Sequence, residues 1–415
     1  MPVLTNIATL YTCAGAGQGD VGPIADAALA WEGDVIRWVG SASDLPVTFG
    51  DWPREDGGGG MVIPGLVDCH THLAFGGWRA DDFERRIRGE TYLQIAEAGG
   101  GIASTVRRTR ALSESDLTER AAGFLAGMVA LGVTTVEAKS GYGLELDAEL
   151  RILRTYRRLA DRGPVRIVAT FLGAHAVPPE YAGRRGEYLA LVVDQMIPSV
   201  ARERLAAFCD VFVERSAFSL DEARQVFRAA ASAGLRPKLH ADQLTASGGA
   251  ELAAEVGAVS ADHLEHASAA GIAALARSDV VAVSLPLATL YLAQAPQPSR
   301  SFIDAGVPVA VATDFNPGSA PSTHLPLALL LACTLQRMTP AEALKGATLF
   351  AARALALEGT IGSLEPGKQA DFAVIDAPDV AQWLSHFRPN ACRRTVIGGV
   401  TAWAPGSIPY RSSTS

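Results

Sequence analysis

The sequence predicts an α/β protein: a (β/α)8 barrel of the TIM type with a small β-sandwich domain built from both termini. Two observations carry this prediction. Eight apolar, strand-like runs alternate with segments of helical periodicity, which is typical of parallel α/β structures. Histidine or aspartate follows or ends five of these runs, and barrel active sites lie at the C-terminal ends of the strands.

The predicted barrel strands are short apolar runs bounded by turn-forming residues. They cover residues 62–68, 133–139, 166–172, 208–214, 236–240, 259–263, 280–285 and 308–314. Two segments between them, LDAELRILRTYRRLADR and SLDEARQVFRAAASAG, carry apolar residues three and four positions apart, as barrel-covering helices do. The barrel is therefore predicted to span residues 62–361.

Both ends of the chain have a different pattern, made of short strands and turns. VLTNIATLYT and AALAWEGDVIRWVG lie near the N-terminus, and GSLEPGKQADFAVID and CRRTVIGGVTAWA lie near the C-terminus. Neither end is large enough to bury a stable core alone. We therefore expect residues 1–61 and 362–415 to pack together as the small β-sandwich domain.

Composition argues against several classes of function. The 415 residues are 48% hydrophobic and carry a formal charge of −8, so neither nucleic acid nor an anionic membrane is the expected partner. The five cysteines include no Cys-x-x-Cys pair, which argues against a disulfide framework. No apolar run is long enough to cross a bilayer, and the N-terminus lacks a signal-peptide pattern. We expect a cytoplasmic protein with a small-molecule substrate.

The stretch VIPGLVDCHTHLAFGG carries His70 and His72 at the end of the first predicted strand. Side chains two residues apart on a strand point the same way, so both imidazoles can bind one ion. A bare His-x-His pair is as often an ordinary surface pair as a metal site. Four further groups at strand ends favour the metal site: His175, His240, His263 and Asp314.

Imidazoles with one carboxylate suit zinc or a similar divalent ion and leave a coordination position open for water. Such an ion lowers the pKa of its water to about 7, so the pattern predicts a metal hydrolase. Barrel hydrolases with two ions usually bridge them with a modified lysine after strand four, where this chain has Glu214. Lys139 ends strand two instead, and both a structural and a direct role are open for it. We predict one metal ion.

The order of these groups along the chain resembles the ligand pattern of the amidohydrolase superfamily. Six blocks between about residues 60 and 320 resemble one family within it, the imidazolonepropionases. The blocks are DCHTHLAFGGWRADDFERRIRGETY, EAGGGI, VEAKSGYGL, GAHAVPPEY, KLHADQL and ATDFNPGSAP. The resemblance implies a metal-dependent enzyme of histidine degradation with Zn²⁺ or Fe as its cofactor. It would hydrolyse the lactam C–N bond of 4-imidazolone-5-propanoate to N-formimino-L-glutamate.

The resemblance also implies site residues. The family's metal ligands fall on His70, His72, His240 and Asp314. Its substrate contacts fall on Arg79, Tyr142, His175, Gln243, Asn316, Gly318 and Ser319. This chain departs from the family in two places, because Ser319 and Ala320 stand where threonine and serine are expected, and a bulky Trp78 precedes Arg79.

Asp314 and His263 are the predicted catalytic residues. Asp314 can accept the proton of water and pass it to the leaving nitrogen. His263 can stabilise the developing oxyanion. The alternative for His263 is a supporting role, hydrogen-bonded to Asp262 or Glu265.

The carboxylate tail of the substrate calls for a planar pair of donors, which Arg79 offers, with Tyr142 as a hydroxyl partner. The alternative for Arg79 is a surface ion pair with the acidic residues of ADDFE. His175 and Gln243 are expected to form hydrogen bonds with the nitrogens and carbonyl of the substrate ring.

Two other functions stay open. A deaminase of cyclic amidines, such as a cytosine or guanine deaminase, uses the same metal ligands. It commonly has a glutamate soon after the strand-five histidine, where this chain has Asp242 and Gln243. A non-enzymatic binding barrel would keep the histidines without hydrolysing any cyclic amide. The apolar run LPLALLLACTL is predicted as a barrel-covering helix, with a homodimer interface as an open role.

Overall fold

The computed structural model describes residues 1–90, 94–95, 98–215, 217–386 and 388–407. Three residues of the resembling blocks, Thr91, Tyr92 and Glu97, lie outside these ranges, as do residues 408–415 of the predicted small domain. The strands in chain order are β1 Val3–Tyr11, β2 Pro23–Glu32, β3 Val35–Ser41, β4 Arg54–Asp56, β5 Met61–Pro64, β6 Leu66–Asp68, β7 Val133–Lys139, β8 Arg166–Ala174, β9 Phe208–Val213, β10 Arg236–Ala241, β11 Ser260–His263, β12 Val281–Ser284, β13 Val309–Val311, β14 Phe372–Ile375, β15 Cys392–Ile397 and β16 Val400–Trp403.

Strands β6 to β13 form a parallel sheet in which each strand pairs with its neighbours in chain order. The sheet is brought to closure by the segments that follow its first and last strands. The N–H of Asp314 donates to the carbonyl of His70 over 3.0 Å, and the N–H of His72 donates to the carbonyl of Phe315 over 2.8 Å. The predicted eight-stranded barrel is therefore confirmed, and its closure lies at the C-terminal face.

Helices cover the outside of this barrel. Within the described ranges the α-helices are Ala80–Ile87, Gly101–Arg110, Glu114–Ala130, Leu146–Arg162, Arg185–Leu191, Ile197–Glu203, Leu220–Ser232, Gly249–Glu255, Ala269–Leu275, Pro286–Leu292, Ser299–Asp304, Leu325–Gln336, Pro340–Gly346, Leu349–Arg353 and Val380–Ser385. The helix Leu220–Ser232 shows the local logic. Ser219 and Glu222 form a capping box at its start, and its apolar face is buried.

A second, mixed sheet combines strands from both ends of the chain. Its order is β16-β15-β14-β5-β1-β2-β3, with β4 paired to β1. One face carries its own apolar core, in which Trp31 meets Phe372 edge-on at a ring-centroid distance of 5.2 Å. The prediction that strands from both termini combine is thus confirmed; they form a single mixed sheet where a β-sandwich was predicted.

The first predicted strand, 62–68, divides between the two sheets at Gly65. Strand β5 pairs with β1 and β14 of the mixed sheet, whereas β6 pairs with β7 in the barrel. A Cβ atom at Gly65 would lie 2.3 Å from the hydroxyl oxygen of Thr134, so the close crossing requires glycine. We propose Gly65 as the boundary between the small domain and the barrel, while the predicted domain limits remain predictions.

Among the described residues, each helix is either too short or too polar to cross a membrane. The apolar run LPLALLLACTL forms the helix Leu325–Gln336, as predicted, and buries Leu325, Ala328 and Leu329 against the barrel layer. Its role at a subunit interface remains a prediction.

Candidate active site

The four predicted metal ligands meet at the C-terminal face of the barrel. Nε2 of His70 and Nε2 of His72 lie 3.4 and 3.5 Å from Oδ1 of Asp314. Nε2 of His240 lies 3.4 Å from Nε2 of His72. All four residues are at most 3% exposed. Residues from the first, fifth and eighth strand ends therefore converge on one point.

Buried carboxylates lie behind two of these imidazoles, one as a hydrogen-bond partner and one at ion-pair distance. Nδ1 of His70 donates to Oδ2 of Asp262 over 2.6 Å, and Nδ1 of His240 lies 3.0 Å from Oδ2 of Asp210. A ring that donates through Nδ1 presents the lone pair of Nε2. Among the described residues, the buried Nε2 of His70 has no hydrogen-bond partner. This carboxylate–imidazole arrangement is typical of metal-binding histidines, so the cluster fits a divalent cation.

The electrostatics of the cluster favour a cation. Burial lowers the pKa of His72 and holds the pKa of His240 well below its usual value, so both rings are neutral near pH 7. Burial also opposes protonation of His70, but the carboxylates of Asp262 and Asp314 prevail and raise its pKa to about 9, so near pH 7 its Nε2 holds a proton that a metal ion bound there would replace. Burial disfavours ionisation of Asp314, yet its contacts with the histidines hold its pKa well below the usual range.

His263 lies beside this cluster, with its ring centroid 5.7 Å from that of His70. Its φ of +78° is a left-handed conformation that costs energy outside glycine and concentrates at functional sites. Of its two predicted partners, Glu265 lies nearby, with Oε2 3.7 Å from Nδ1 of His263. Asp262 contacts Nδ1 of His70 instead.

The cluster opens into a cavity of about 310 Å³. Every predicted substrate contact lines this cavity: Arg79, Tyr142, His175, Gln243, Asn316, Gly318 and Ser319. His263 lines it as well. A second cavity of about 290 Å³ lies beside the helix Leu325–Gln336, and none of the strand-end histidines lines it.

Arg79 precedes the helix Ala80–Ile87 and packs over Gly318. A Cβ atom at Gly318 would lie 1.8 Å from Cζ of Arg79, so the guanidinium occupies the space that any side chain there would need. The buried Nε of Arg79 has no hydrogen-bond partner among the described residues. Two of the three acidic residues that follow bond elsewhere, since Asp82 accepts the N–H of Gly101 over 2.8 Å and Glu84 pairs with Arg88. The alternative of a surface ion pair within ADDFE is therefore not what the described residues form.

Tyr142 and His175 form an aromatic wall beside His72. The ring of His175 stacks on His72 at 5.3 Å and 17°, and the ring of Tyr142 lies 5.4 Å from His175. Nδ1 of His175 donates to the carbonyl of Gly141 over 3.0 Å, which leaves Nε2 as an acceptor. Burial lowers the pKa of His175 to about 3, so the ring is neutral near pH 7.

A buried carboxylate fixes the loop that carries Tyr142. Oε1 of Glu149 accepts the N–H of Gly143 over 2.7 Å, and Oε2 accepts the N–H of Gly141 over 3.0 Å. A Cβ atom at Gly143 would lie 2.6 Å from the nitrogen of Glu149, so only glycine permits this approach. The glycines of SGYGL thus set the position of Tyr142.

Comparison with known proteins agrees with this geometry. The amidohydrolase family profile matches residues 61–402. The chain is 50% identical to the imidazolonepropionase of Polaromonas sp., over 87% of this chain and 85% of that protein. It is 46% identical to the imidazolonepropionase of Geobacillus kaustophilus, over 94% of this chain and 93% of that protein. The chain belongs to the imidazolonepropionase family of amidohydrolases.

Solved structures share the amidohydrolase fold at lower identity. The adenosine deaminase of Xanthomonas campestris with bound zinc matches 100% of this chain and 94% of its own, with a TM-score of 0.71 and 20% identity. A mutant of the atrazine chlorohydrolase of Arthrobacter aurescens, complexed with zinc and atraton, matches with a TM-score of 0.71 and 16% identity, over 100% and 97% of the two chains. At these identities the likeness shows the fold alone.

In this imidazolonepropionase-family chain, the loop after β13 is built around Asn316. Its Nδ2 donates to the carbonyl of Asp314 over 2.7 Å and to the hydroxyl of Ser319 over 2.8 Å. Its Oδ1 accepts the N–H groups of Gly318 and Ser319, both over 2.8 Å. Because all four positions of the amide are used, the side chain shapes this loop. A direct contact of Asn316 with substrate remains a prediction.

Gln243 follows β10 and lines the cavity. The acidic residues near it accept hydrogen bonds from backbone N–H groups. Glu214, which follows β9, accepts the N–H groups of residues 244 and 245 over 2.9 and 3.1 Å. Asp242 accepts N–H groups at the start of the helix Gly249–Glu255, over 3.1 and 2.9 Å. After β10 it is thus the neutral amide of Gln243 that lines the cavity, while the carboxylate of Asp242 caps a helix.

Sequence analysis misses the ionic layer below the histidines. Nζ of Lys139 contacts carboxylates of Glu137, Asp210 and Asp262, and all of these side chains are fully buried. The signal available in the sequence is a charged residue inside an apolar run, as in VTTVEAK and FCDVFVE. Such residues point into the barrel, where an unpaired charge is strongly unfavourable.

Proposed function

We propose that this chain hydrolyses the lactam C–N bond of 4-imidazolone-5-propanoate, giving N-formimino-L-glutamate in histidine degradation. The observation that carries the proposal is that one cavity contains both a metal-competent cluster and Arg79, whose buried Nε has no hydrogen-bond partner among the described residues. A lactam with a carboxylate tail needs both. Identities of 46% and 50% to imidazolonepropionases support the same reaction.

We assign one divalent cation, zinc or iron, to His70, His72, His240 and Asp314. When bound, the cation supplies Lewis acidity and activates water near neutral pH. Imidazole and carboxylate ligands suit both metals. Elemental analysis of protein purified without chelators distinguishes zinc from iron, and a stoichiometry near two ions per chain would contradict the single site.

Asp314 is the proposed proton carrier. Its carboxylate is ionised near neutral pH, and a carboxylate at this position can accept the proton of the attacking water. As the C–N bond breaks, the same carboxyl returns this proton to the leaving ring nitrogen. His263, which lines the same cavity, is proposed to stabilise the oxygen of the former carbonyl as negative charge develops.

The remaining cavity residues are proposed to hold the substrate. Arg79 forms a bidentate pair with the carboxylate tail, and the hydroxyl of Tyr142 adds a third contact. The neutral His175 accepts a hydrogen bond from a ring N–H through Nε2, and Gln243 offers both a donor and an acceptor. Gly318 and Ser319 bring the loop after β13 against the substrate, with the serine hydroxyl replacing the threonine expected in the family.

A cyclic-amidine deaminase is the weaker alternative. Deaminases with these ligands commonly use a glutamate after the strand-five histidine to carry protons, and an amide such as Gln243 cannot replace it near neutral pH. Asp242 is already occupied as a helix cap. Of the two polar residues directly after β10, Asp242 and Gln243, neither is therefore available to carry protons in a deaminase reaction.

The proposal is tested by supplying freshly generated 4-imidazolone-5-propanoate to metal-loaded protein. We expect loss of the ultraviolet absorbance of the ring and matching formation of N-formimino-L-glutamate, at about 1–10³ turnovers per second. Cytosine and guanine are assayed in parallel for release of ammonia. Intact lactam after incubation, or ammonia released from either base, would overturn the assignment. Metal-loaded protein inactive on all three compounds would favour the non-enzymatic barrel.

A further inference from the structure

The barrel interior directly below the histidines holds a layer of charged side chains. It consists of two lysines and three acids, all of them completely buried: Glu137, Lys139, Asp210, Lys238 and Asp262. Barrel interiors are ordinarily filled by branched apolar residues, and buried charges are unfavourable unless they are paired. The position of this layer under the metal ligands calls for an explanation beyond packing.

Lys139 is the centre of the layer. Its Nζ lies 2.8 Å from Oδ2 of Asp210, 3.0 Å from Oε1 of Glu137 and 3.3 Å from Oδ2 of Asp262. An ammonium group has three N–H donors and no acceptor. The contacts with Glu137 and Asp210 are hydrogen bonds and the contact with Asp262 is an ion pair, and the three carboxylates come from three different strands, β7, β9 and β11.

Two of these carboxylates, those of Asp210 and Asp262, also contact the proposed metal ligands, and they do so through the same oxygen atoms that contact Lys139. Oδ2 of Asp262 accepts from Nδ1 of His70 over 2.6 Å, and Oδ2 of Asp210 lies 3.0 Å from Nδ1 of His240. Each of these oxygens is thus shared between an imidazole and Lys139. The second oxygens are fixed as well, by the hydroxyl of Ser260 and by the N–H of His240. Among the described residues, Lys139 is the lysine that contacts both shared oxygens, so displacing its ammonium removes this support.

We propose that Lys139 is a positioning residue for the metal site, which through Asp210 and Asp262 sets the orientation of His240 and His70. The inference takes from the proposed function only that these histidines bind a metal ion. Lys139 is fully buried and is not among the residues that line the cavity, so it acts through the two aspartates. Two ammonium groups face three carboxylates, and the excess negative charge favours a cation above the layer.

The chain offers a matched control in Lys238. This lysine has the same full burial and belongs to the same layer, but its Nζ contacts Oε1 of Glu137 over 3.0 Å and the carbonyl of Ala354 over 3.2 Å. Within the described part of the chain, no hydrogen bond or ion pair joins Lys238 to Asp210 or Asp262. A role in folding is common to both lysines, whereas a role in holding the imidazoles belongs to Lys139.

The experiment compares Lys139→Met with Lys238→Met in the full chain loaded with cobalt(II). Three quantities are measured: the visible d–d absorption of the ion, the rate at which a chelator removes it, and the free energy of unfolding in urea. We expect Lys139→Met to lose cobalt about 10–100-fold faster than the unaltered chain, with a shifted spectrum. Lys238→Met should keep the spectrum and lose cobalt within about twofold of the unaltered rate.

Equal cobalt release from the two variants, or an unaltered spectrum in Lys139→Met, would overturn the proposal even if both variants unfold more easily. If Lys139→Met does not accumulate as folded protein, Lys139→Gln and Lys238→Gln keep a donor and are compared in the same way, with the same expected contrast. No substrate enters these measurements. A chain that binds cobalt as expected but leaves the lactam intact would therefore refute the proposed function and leave the role of Lys139 standing.

Discussion

The two walls of the cavity are held in different ways. The metal-facing wall consists of side chains at strand ends, backed by buried carboxylates and Lys139. The opposite wall is carried by Arg79 and by the loop of residues 316–319. Arg79 precedes the helix Ala80–Ile87, which buries none of its residues. The first wall is therefore rigid, and the second depends on a few contacts between loops.

This difference separates chemistry from recognition. Groups that must hold an ion and move a proton need fixed geometry, which strand ends provide. Groups that bind a flexible carboxylate tail tolerate attachment to loops. Substitutions in the first wall are expected to lower kcat or metal retention, and substitutions in the second wall to raise KM with the metal intact.

The largest effect is expected from Asp314→Asn, which removes the proposed proton carrier and one proposed metal ligand together. We expect kcat to fall by about 10³-fold or more. The measurement is steady-state turnover of 4-imidazolone-5-propanoate, with metal content determined on the same preparation. A variant that retains more than about a tenth of the unaltered kcat would show that Asp314 does not carry the proton.

A smaller effect, on the other wall, is expected from Arg79→Ala. Loss of a bidentate pair to a carboxylate costs about 3 kcal/mol, so KM should rise by about 10²-fold. Metal content should equal that of the unaltered chain. Arg79→Lys keeps the charge without the planar fork and should recover only part of the loss. Reduced metal content in Arg79→Ala would contradict the assignment of metal binding and substrate binding to different walls.

Gly318→Ala tests whether the loop positions Arg79. The added Cβ atom would lie 1.8 Å from Cζ of Arg79, so the guanidinium must move, and KM should rise by about tenfold. Gly123→Ala is the control, because no heavy atom lies within 4 Å of its added Cβ. An unaltered KM in Gly318→Ala would mean that Arg79 does not bind substrate from its observed position.

The smallest effect is expected away from both walls, at the pair of Arg185 and Glu222. The hydrogen bond from Arg185 lowers the pKa of Glu222 from 4.5 to about 2. A lowered pKa in the folded state adds stability above pH 4.5, and this stability is lost as the pH falls toward 2.

Glu222→Gln should therefore lower the free energy of unfolding at pH 7 by about 1 kcal/mol, after discounting for solvent screening. The difference from the unaltered chain should shrink as the pH falls below about 4.5. Urea unfolding across this pH range measures it. Turnover at pH 7 should stay unaltered, and a changed KM would show that this surface pair is coupled to the cavity.

The metal-facing wall could be predicted largely from the sequence, because its signals are local. His70 and His72 lie two apart after an apolar strand, and His240 and Asp314 end or follow others. Parallel strands with helical crossovers place such ends on one face. The second wall, which carries Arg79, was predicted from the family resemblance, because nothing in the sequence around Arg79 distinguishes a substrate contact from an ion pair.

The ionic layer could not be predicted, because its contacts depend on register across the barrel. Lys139 meets Asp210 and Asp262 only when three strands that are not neighbours place these positions at the same height. For the same reason, the sequence does not show that Asp262 contacts His70 rather than the adjacent His263. The sequence also could not show that residues 62–68 divide at Gly65 between the two sheets, because both halves are equally apolar.

The most direct test is a comparison of two substrates in two proteins. Turnover is measured for 4-imidazolone-5-propanoate and for an imidazolone with an ethyl group in place of the propanoate, in the unaltered chain and in Arg79→Ala. We expect kcat/KM in the unaltered chain to favour the carboxylate substrate by about 10²-fold, and Arg79→Ala to abolish this preference with metal content unchanged. Equal preference in both proteins, or no hydrolysis of either compound by metal-loaded protein, would contradict the account.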